Sequence, residues 1–390
     1  MKNHILHISN SYGGTTVYKN LFTALDKLGI KQTIFAPLNA KNHSRLGNHL
    51  IDFEVEGSSI VFSLARKWYH RFLYDSKINI IKKELLRMVD MQEITLIHAH
   101  TLCLDGAVAY KISKEFKIPF IASIRNTDIN AYYKRLFWKR SLFETILLNA
   151  AKIFFISPAY EKRFTEVIIS DNTFAKIKDK ILIIPNGISD VFRENREKFP
   201  NEIHKPIRII YAGAFQSGKN LDKLILALTT LIEKGVQIEF TAVGRRMANR
   251  KKDPNYINNI EKLASRHSWI RLLDSVSQLE LIKLFSENDI FAMPSVPETF
   301  GLVYVEAMTQ GLPLIYAKGQ GFDGFYPEGK VGYGVNAENI EDIANKIELI
   351  INSYDRFVRN ITNLSLEEFN WDAIANKYKA IYFEFNNTDK

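Results

Sequence analysis

The feature that most constrains the fold is an alternation that runs along the chain twice, in which short apolar runs are separated by longer amphipathic ones. HILHIS (4–9), QTIFAP (32–37), TLIHAH (95–100), PFIASI (119–124) and KIFFIS (152–157) have the length and apolarity of strands buried on both faces. Between them VYKNLFTALDKL, LDGAVAYKISKEF and RSLFETILLNA place apolar residues at helical spacing. Such alternation implies βαβ units and a parallel sheet covered on both faces. After ILIIPNG (181–187) the pattern breaks in ISDVFRENREKFPNEIHKP, whose four basic and four acidic residues show little periodicity. It then restarts with IRIIYAG (207–213), a helix LDKLILALTTLIEKG, QIEFTAVG (237–244), WIRLLD (269–274), a helix SQLELIKLFSEN, DIFAMPS (289–295), GLPLIYA (311–317) and a helix near 338–352. The expected organisation is therefore a first α/β domain over residues 1–190, a linker over 191–206, a second α/β domain over 207–365 and a terminal helix within 366–390. Ligands of doubly wound sheets bind beyond the carboxyl ends of the strands. If the two carboxyl edges face each other, the site is expected in the cleft between the domains.

Size and charge narrow the function classes. A chain of 390 residues with 46% hydrophobic content can bury two full cores. No run reaches the roughly 18 apolar residues of a membrane span, and MKNHILHISNSYGG lacks the apolar core of a signal peptide. A cytoplasmic location follows as the expectation, and the single cysteine, Cys103, agrees with a reducing compartment. Residues 1–190 carry 27 basic against 17 acidic residues, and the remainder 25 against 26, so the net charge of +9 belongs to the first half. The excess concentrates in ARKWYHRFLYDSKINIIKKELLR (65–87) and AYYKRLFWKR (131–140), where basic and aromatic side chains interleave. Such stretches suit anionic lipid headgroups or a phosphorylated substrate, or else form solvated helix faces. No nucleic-acid-binding motif accompanies them.

The most informative stretch is VPETFGLVYVEAMTQGLP (296–313). Its prolines and Gly301 make a turn, VYVEAMTQ has helical length, and Gly311 followed by Pro313 forms a helix stop. Glu298 thus falls in the loop and Glu306 in the helix, with the amides of Phe300, Gly301 and Leu302 between them at a helix N-terminus that favours an anion. An anion seat between two carboxylates matches a sugar nucleotide, whose phosphates lie between hydroxyl-rich rings. Two strand–loop–helix junctions add to it. Ser11-Tyr12-Gly13-Gly14-Thr15-Thr16 follows the first strand, and paired glycines there let backbone approach a phosphate or sugar. Ala214-Phe215-Gln216-Ser217-Gly218-Lys219-Asn220 follows RIIYAG and offers Lys219 to a diphosphate as a point charge.

Taken together these residues resemble family 4 of the retaining glycosyltransferases, whose fold is GT-B: two doubly wound Rossmann-like domains facing across a cleft, with a C-terminal helix crossing back to the first domain. Gly13-Gly14 resembles the family's N-terminal glycine loop, His98-Ala-His100 the end of its fourth-strand region, and IIPNGI its domain junction. Lys219 matches the lysine on the donor diphosphate, Glu298 to Glu306 match the paired-glutamate motif, and FNWDAIANKYKAIY resembles the crossing helix. Two positions depart from the pattern. Ala214 stands where the family often has an arginine that joins the lysine, so either Arg245 or another cation compensates or backbone dipoles hold more of the diphosphate. Arg125, in IRNTD, stands where many relatives have a histidine. Its guanidinium cannot act as a base but could hold the donor phosphate or an acidic group on the acceptor, with Asp128 near an acceptor hydroxyl; the alternative for the two is a structural ion pair.

The resemblance implies transfer of a hexose or N-acetylhexosamine, with retained configuration, from a nucleotide sugar, with UDP as the expected nucleotide, to an acceptor hydroxyl. The expected acceptor is a glycan or lipid-linked oligosaccharide of surface polysaccharide assembly, reached on the inner face of the cell membrane. Glu306 is expected on the ribose hydroxyls and Glu298 on the transferred sugar, with Lys219 and the amides around Gly301 and Gly13-Gly14 on the leaving diphosphate. No Asp-x-Asp and no clustered His, Cys or carboxylate spacing occurs, so neither metal nor other cofactor is expected. A nucleotide-sugar epimerase of the same architecture and a non-catalytic scaffold are the competing readings.

Overall fold

The computed structural model describes residues 3–39, 44–196, 202–245 and 253–385. They form two compact units, one of residues 1–156, 160–187 and 368–390, the other of residues 157–159 and 188–367.

The first unit is built on seven parallel strands: β1 (His4–Ile8), β2 (Lys31–Asn39), β3 (Ser59–Arg66), β4 (Leu96–Ala99), β5 (Phe120–Ile124), β6 (Lys152–Phe155) and β7 (Ile181–Ile183). Their order is β3-β2-β1-β4-β5-β6-β7. The order in which the chain adds strands reverses between β1 and β4, so the crevice at their carboxyl ends is the switch point where such sheets bind ligands. Alternation along β1 divides the core. Leu6 and Ile8 face one side with Ile97, Ala99 and Phe155. Ile5 faces the other side with Phe22, Ile34, Ile121 and the terminal helix Trp371–Phe383. That helix lays Trp371, Ile374, Tyr378 and Tyr382 into this second face, all of them buried. Gly187 is fixed by the contact: a Cβ there would lie 2.6 Å from Cδ2 of Trp371, so only glycine fits beneath the indole.

The second unit has six parallel strands in the order β10-β9-β8-β11-β12-β13. They are β8 (Ile207–Ala212), β9 (Ile238–Val243), β10 (Ile270–Leu273), β11 (Ile290–Met293), β12 (Leu314–Ala317) and β13 (Gly332–Val335). The helix Leu221–Glu233 buries Leu221, Leu224, Ile225, Leu228 and Leu231, the i, i+3, i+4, i+7 stripe of a helix on a sheet. The short helix Leu302–Thr309 is apolar on nearly every side and is sunk into the unit, with Tyr304 Oη donating to the Met293 carbonyl at 2.5 Å.

Three elements lie outside the pattern read from the sequence. SIVFSLAR forms β3, which overlaps the start of the basic-aromatic stretch 65–87; the rest of that stretch holds a 3₁₀ turn, Trp68–Arg71, and an α-helix from Tyr74. β13, carrying two glycines in four residues, gives no strand-like apolar run. The supposed linker contains a helix, Asp190–Glu194, with Phe192 buried; residues 197–201 of that linker and 386–390 of the terminal segment lie outside the described residues.

Candidate active site

In the second unit the two glutamates stand where the motif places them. Gly301 has φ 82°, a left-handed conformation that glycine adopts without a side-chain clash, and it starts the helix carrying Glu306. Glu298 lies in the preceding loop. Its Oε2 accepts from Lys219 Nζ at 2.7 Å and its Oε1 from the Thr299 amide at 2.9 Å. The lysine loop and the glutamate loop are held together by backbone. The Val296 amide donates to the Gly218 carbonyl at 2.7 Å, and Asn220 Nδ2 donates to the Pro294 carbonyl at 2.8 Å. Lys219 and Glu298, 79 residues apart, are therefore one ion pair on two mutually braced loops.

Glu306 differs. It is half-buried, no donor within hydrogen-bond distance of its carboxylate occurs among the described residues, and burial pushes its carboxyl up to about 7. Phe300 is buried and Leu302 opens the helix, so their amides and that of Gly301 sit at its N-terminus. Arg245 is exposed and follows the end of β9, next to β8: the Gly213 amide donates to the Val243 carbonyl at 2.9 Å. It thus lies two residues beyond the strand end that pairs with the one leading into Ala214.

In the first unit Tyr12-Gly13-Gly14 forms a 3₁₀ turn after β1, and the hydroxyl of Thr15 caps the helix Thr16–Lys27 by accepting from the Val17 amide at 3.3 Å. Arg125 follows β5. Its Nε donates to the His100 carbonyl at 3.3 Å, its Nη1 to Asn186 Oδ1 at 3.5 Å, and its guanidinium lies 5.8 Å from the Tyr18 ring centroid. Asp128 corrects the sequence reading. It is wholly buried, and its carboxylate accepts from the amides of Leu102 (3.1 Å), Cys103 (2.8 Å) and Arg125 (2.9 Å). It is a positioning residue that braces the turns after β4 and β5, with no oxygen exposed to an acceptor.

A third group joins His98 and His100, singled out above only as a family-like segment, to a histidine of the first strand. His7, His98 and His100 bring ring nitrogens within 4.8 Å of one another, the one such histidine, cysteine or carboxylate group among the described residues. Spacing along the chain does not reveal it, because His7 and His100 are 93 residues apart and meet only when β1 pairs with β4, with His7 opposite His98. His7 Nδ1 and His100 Nε2 share a hydrogen bond of 3.0 Å, and His98 bonds Tyr382 Oη (2.7 Å) and Ser123 Oγ (2.9 Å). Burial lowers all three, His7 to about 3, so the cluster is neutral. Both nitrogens of His98 are already engaged, and Arg125 adds positive charge beside it. The donor set therefore fits a hydrogen-bonded network better than a cation. Asn10 and Asp105 also escaped notice: the Asn10 side-chain amide donates to Asp105 at 3.0 and 3.1 Å, and burial raises the Asp105 carboxyl to about 7.

Two family models tile this architecture. Residues 12–191 match Glycosyltransferase Family 4 and residues 192–364 match Glycosyl transferases group 1. The chain belongs to the group 1 glycosyltransferases. This glycosyltransferase is 23% identical over 305 residues to a D-inositol 3-phosphate glycosyltransferase of Corynebacterium aurimucosum, spanning 74% of this chain and 71% of that one. It is also 23% identical to an uncharacterized 41.2 kDa protein in the cps region of Klebsiella pneumoniae, over 88% of this chain and 94% of that one. Among solved structures, sucrose-phosphate synthase of Thermosynechococcus elongatus superposes with a TM-score of 0.71 at 18% identity, over 100% of both chains. Anabaena HepE in complex with UDP and glucose gives 0.65 at 17%, over 98% of this chain and 100% of that one. The fold is the two-domain α/β architecture of GT-B glycosyltransferases.

Proposed function

We propose that this glycosyltransferase moves a hexose or N-acetylhexosamine from a UDP-linked donor to an acceptor hydroxyl, with retention of anomeric configuration and without a metal. The observation that carries the reading is the second unit's braced Lys219–Glu298 pair together with a carboxylate, Glu306, that no donor among the described residues satisfies. An unpaired, half-buried carboxylate is costly unless a ligand supplies the donors, and ribose hydroxyls do. The complexes of HepE with UDP and UDP-glucose support the choice of nucleotide.

In this reading Glu306 receives the ribose hydroxyls, Glu298 a hydroxyl of the transferred sugar, and Lys219 with the amides around Gly301 the diphosphate. The C1–phosphate oxygen bond breaks with its electrons going to the leaving diphosphate. The acceptor oxygen bonds C1 from the same face, and its proton passes to a leaving phosphate oxygen. The protein's task is then to stabilise charge on the leaving group, which a lysine and oriented amides can do. The absence of Asp-x-Asp from the sequence supports a metal-free donor site.

The acceptor is proposed to be a glycan or lipid-linked saccharide of surface polysaccharide assembly, met at an anionic membrane. Trp68, Phe72, Phe137 and Trp138 are each between 57% and 67% exposed. Their two segments are tied together where Lys139 Nζ meets Asp75 at 2.7 Å. Exposed aromatics flanked by Lys67, Lys134, Arg135 and Arg140, all exposed, suit an interfacial contact. No helix among the described residues is long and apolar enough to cross a membrane.

The test is a calorimetric titration in EDTA with UDP, GDP, ADP and their sugar conjugates. Binding confined to one nucleotide series and abolished by Glu306→Ala is the expected result. Binding of none, or dependence on added Mg²⁺ or Mn²⁺, refutes it.

A further inference from the structure

Beyond the donor, the first unit holds a second place shaped for an anion. A cavity of about 370 Å³ opens at the carboxyl ends of β1, β2 and β3, lined among others by Arg45, Arg66, Asn10, Ser11, Gly14 and Thr15. That volume falls within the roughly 300–1,000 Å³ of small-molecule sites. Among the described residues no carboxylate lies within ion-pair distance of either arginine, although the protein pairs many of its other cations.

The Arg66 guanidinium is anchored, whereas that of Arg45, an exposed residue, lies against the glycine loop. Arg66 ends β3 opposite Asn39, is half-buried, and is anchored by Nη1 donating to the Pro37 carbonyl at 2.9 Å. Its Nε is buried without a partner, which a purely structural arginine would avoid. Arg45 lies along the glycine loop: a Cβ at Gly14 would sit 3.3 Å from its Nη1, so the glycine leaves the guanidinium its place. Asn10 is oriented by Asp105 and by Thr101 Oγ1 at 3.2 Å, and Ser11 and Thr15 contribute hydroxyls. The nearby carboxylate, Asp105, is turned into the Asn10 contacts. Two uncompensated forks with hydroxyl and amide groups between them fit a tetrahedral oxyanion.

We propose that this cavity is an acceptor subsite for a phosphate group, so that the acceptor of this glycosyltransferase is a phosphorylated molecule. The proposal rests on the transferase reading above. The same phosphate chemistry could come from a soluble sugar phosphate or from a prenyl-phosphate lipid.

Titration of the full chain, with and without saturating UDP, tests it with glucose 6-phosphate against glucose and geranyl phosphate against geraniol. At least one phosphorylated probe is expected to bind tenfold or more tightly than its neutral parent, and the tighter of the two names the source. Arg66→Gln and, on an exposed side chain, Arg45→Gln should each remove most of that preference while UDP binding, read from the second unit, is retained. Equal binding of phosphorylated and neutral probes overturns the subsite, as does a preference unmoved by either substitution. Loss of UDP affinity in Arg45→Gln also overturns it, because the arginines would then serve the donor diphosphate. If wild-type protein binds no UDP, the donor reading fails, and the phosphate arm without UDP still decides the subsite.

Discussion

Glu306 offers a prediction with a built-in control. Burial raises its carboxyl to about 7, and only the ionised form accepts hydroxyl hydrogen bonds at both oxygens. If nucleotide binding requires that form, the apparent dissociation constant scales as one plus the protonated-to-ionised ratio, roughly elevenfold weaker at pH 6 and nearly unchanged at pH 8. In Glu306→Gln the step vanishes. Affinity is expected to be lower at pH 8 by about 1.5–3 kcal/mol, the worth of charge-assisted hydrogen bonds, and nearly level between pH 6 and 8. Uridine is the ligand of choice, because its ribose lacks a phosphate that titrates in the same window. Stability moves the other way: the folded value lies above the usual carboxylate range, so the unfolded chain ionises first. Ligand-free protein then loses up to about 3 kcal/mol between pH 4.5 and 7 relative to the glutamine variant. Calorimetry across this range for both proteins decides the matter, and parallel pH profiles would refute the assignment.

Other outcomes can be stated briefly. Lys219→Ala should slow transfer by about tenfold to more than a hundredfold, from the loss of roughly 1.5–3 kcal/mol of charge-assisted bonding; an unchanged turnover sinks its role. The three neutral histidines have folded values below 6.5, so their contribution is full above that pH and is lost as pH falls. Denaturant midpoints should drop from pH 7 to 5, less steeply in His7→Gln, and an equal slope argues against the network. Gly187→Ala should destabilise the first unit by roughly 1–3 kcal/mol through displacement of Trp371, read from thermal melts and indole fluorescence. Replacing Trp68, Phe72, Phe137 and Trp138 with Ser should reduce co-sedimentation with anionic vesicles, whereas wild-type protein that ignores such vesicles removes the membrane contact.

Much of this architecture is visible in the residues because its strands are apolar on both faces and its helices striped. β3 and β13 escaped because an edge strand need not be apolar: SIVFSLAR mixes serines and a terminal arginine, and GYGV is half glycine. The glutamate motif was legible because spacing along eight residues is local. The Lys219–Glu298 bond and the histidine cluster were not, because their members meet only through strand pairing and loop bracing. Asp128 shows the limit of reading charge as function: a carboxylate near a strand end can serve backbone amides alone.

The terminal helix also sets an order of events in synthesis. Residues 1–187 leave the ribosome well before Trp371–Phe383, yet one face of their sheet is closed by that helix. Until translation nears residue 383, the apolar face around Ile5, Phe22 and Ile121 is covered only in part, by the helix Thr16–Lys27. The first unit to be made is thus the last to be finished, and the nascent protein carries a partly open hydrophobic groove through the whole synthesis of the second, a natural site for chaperone attention.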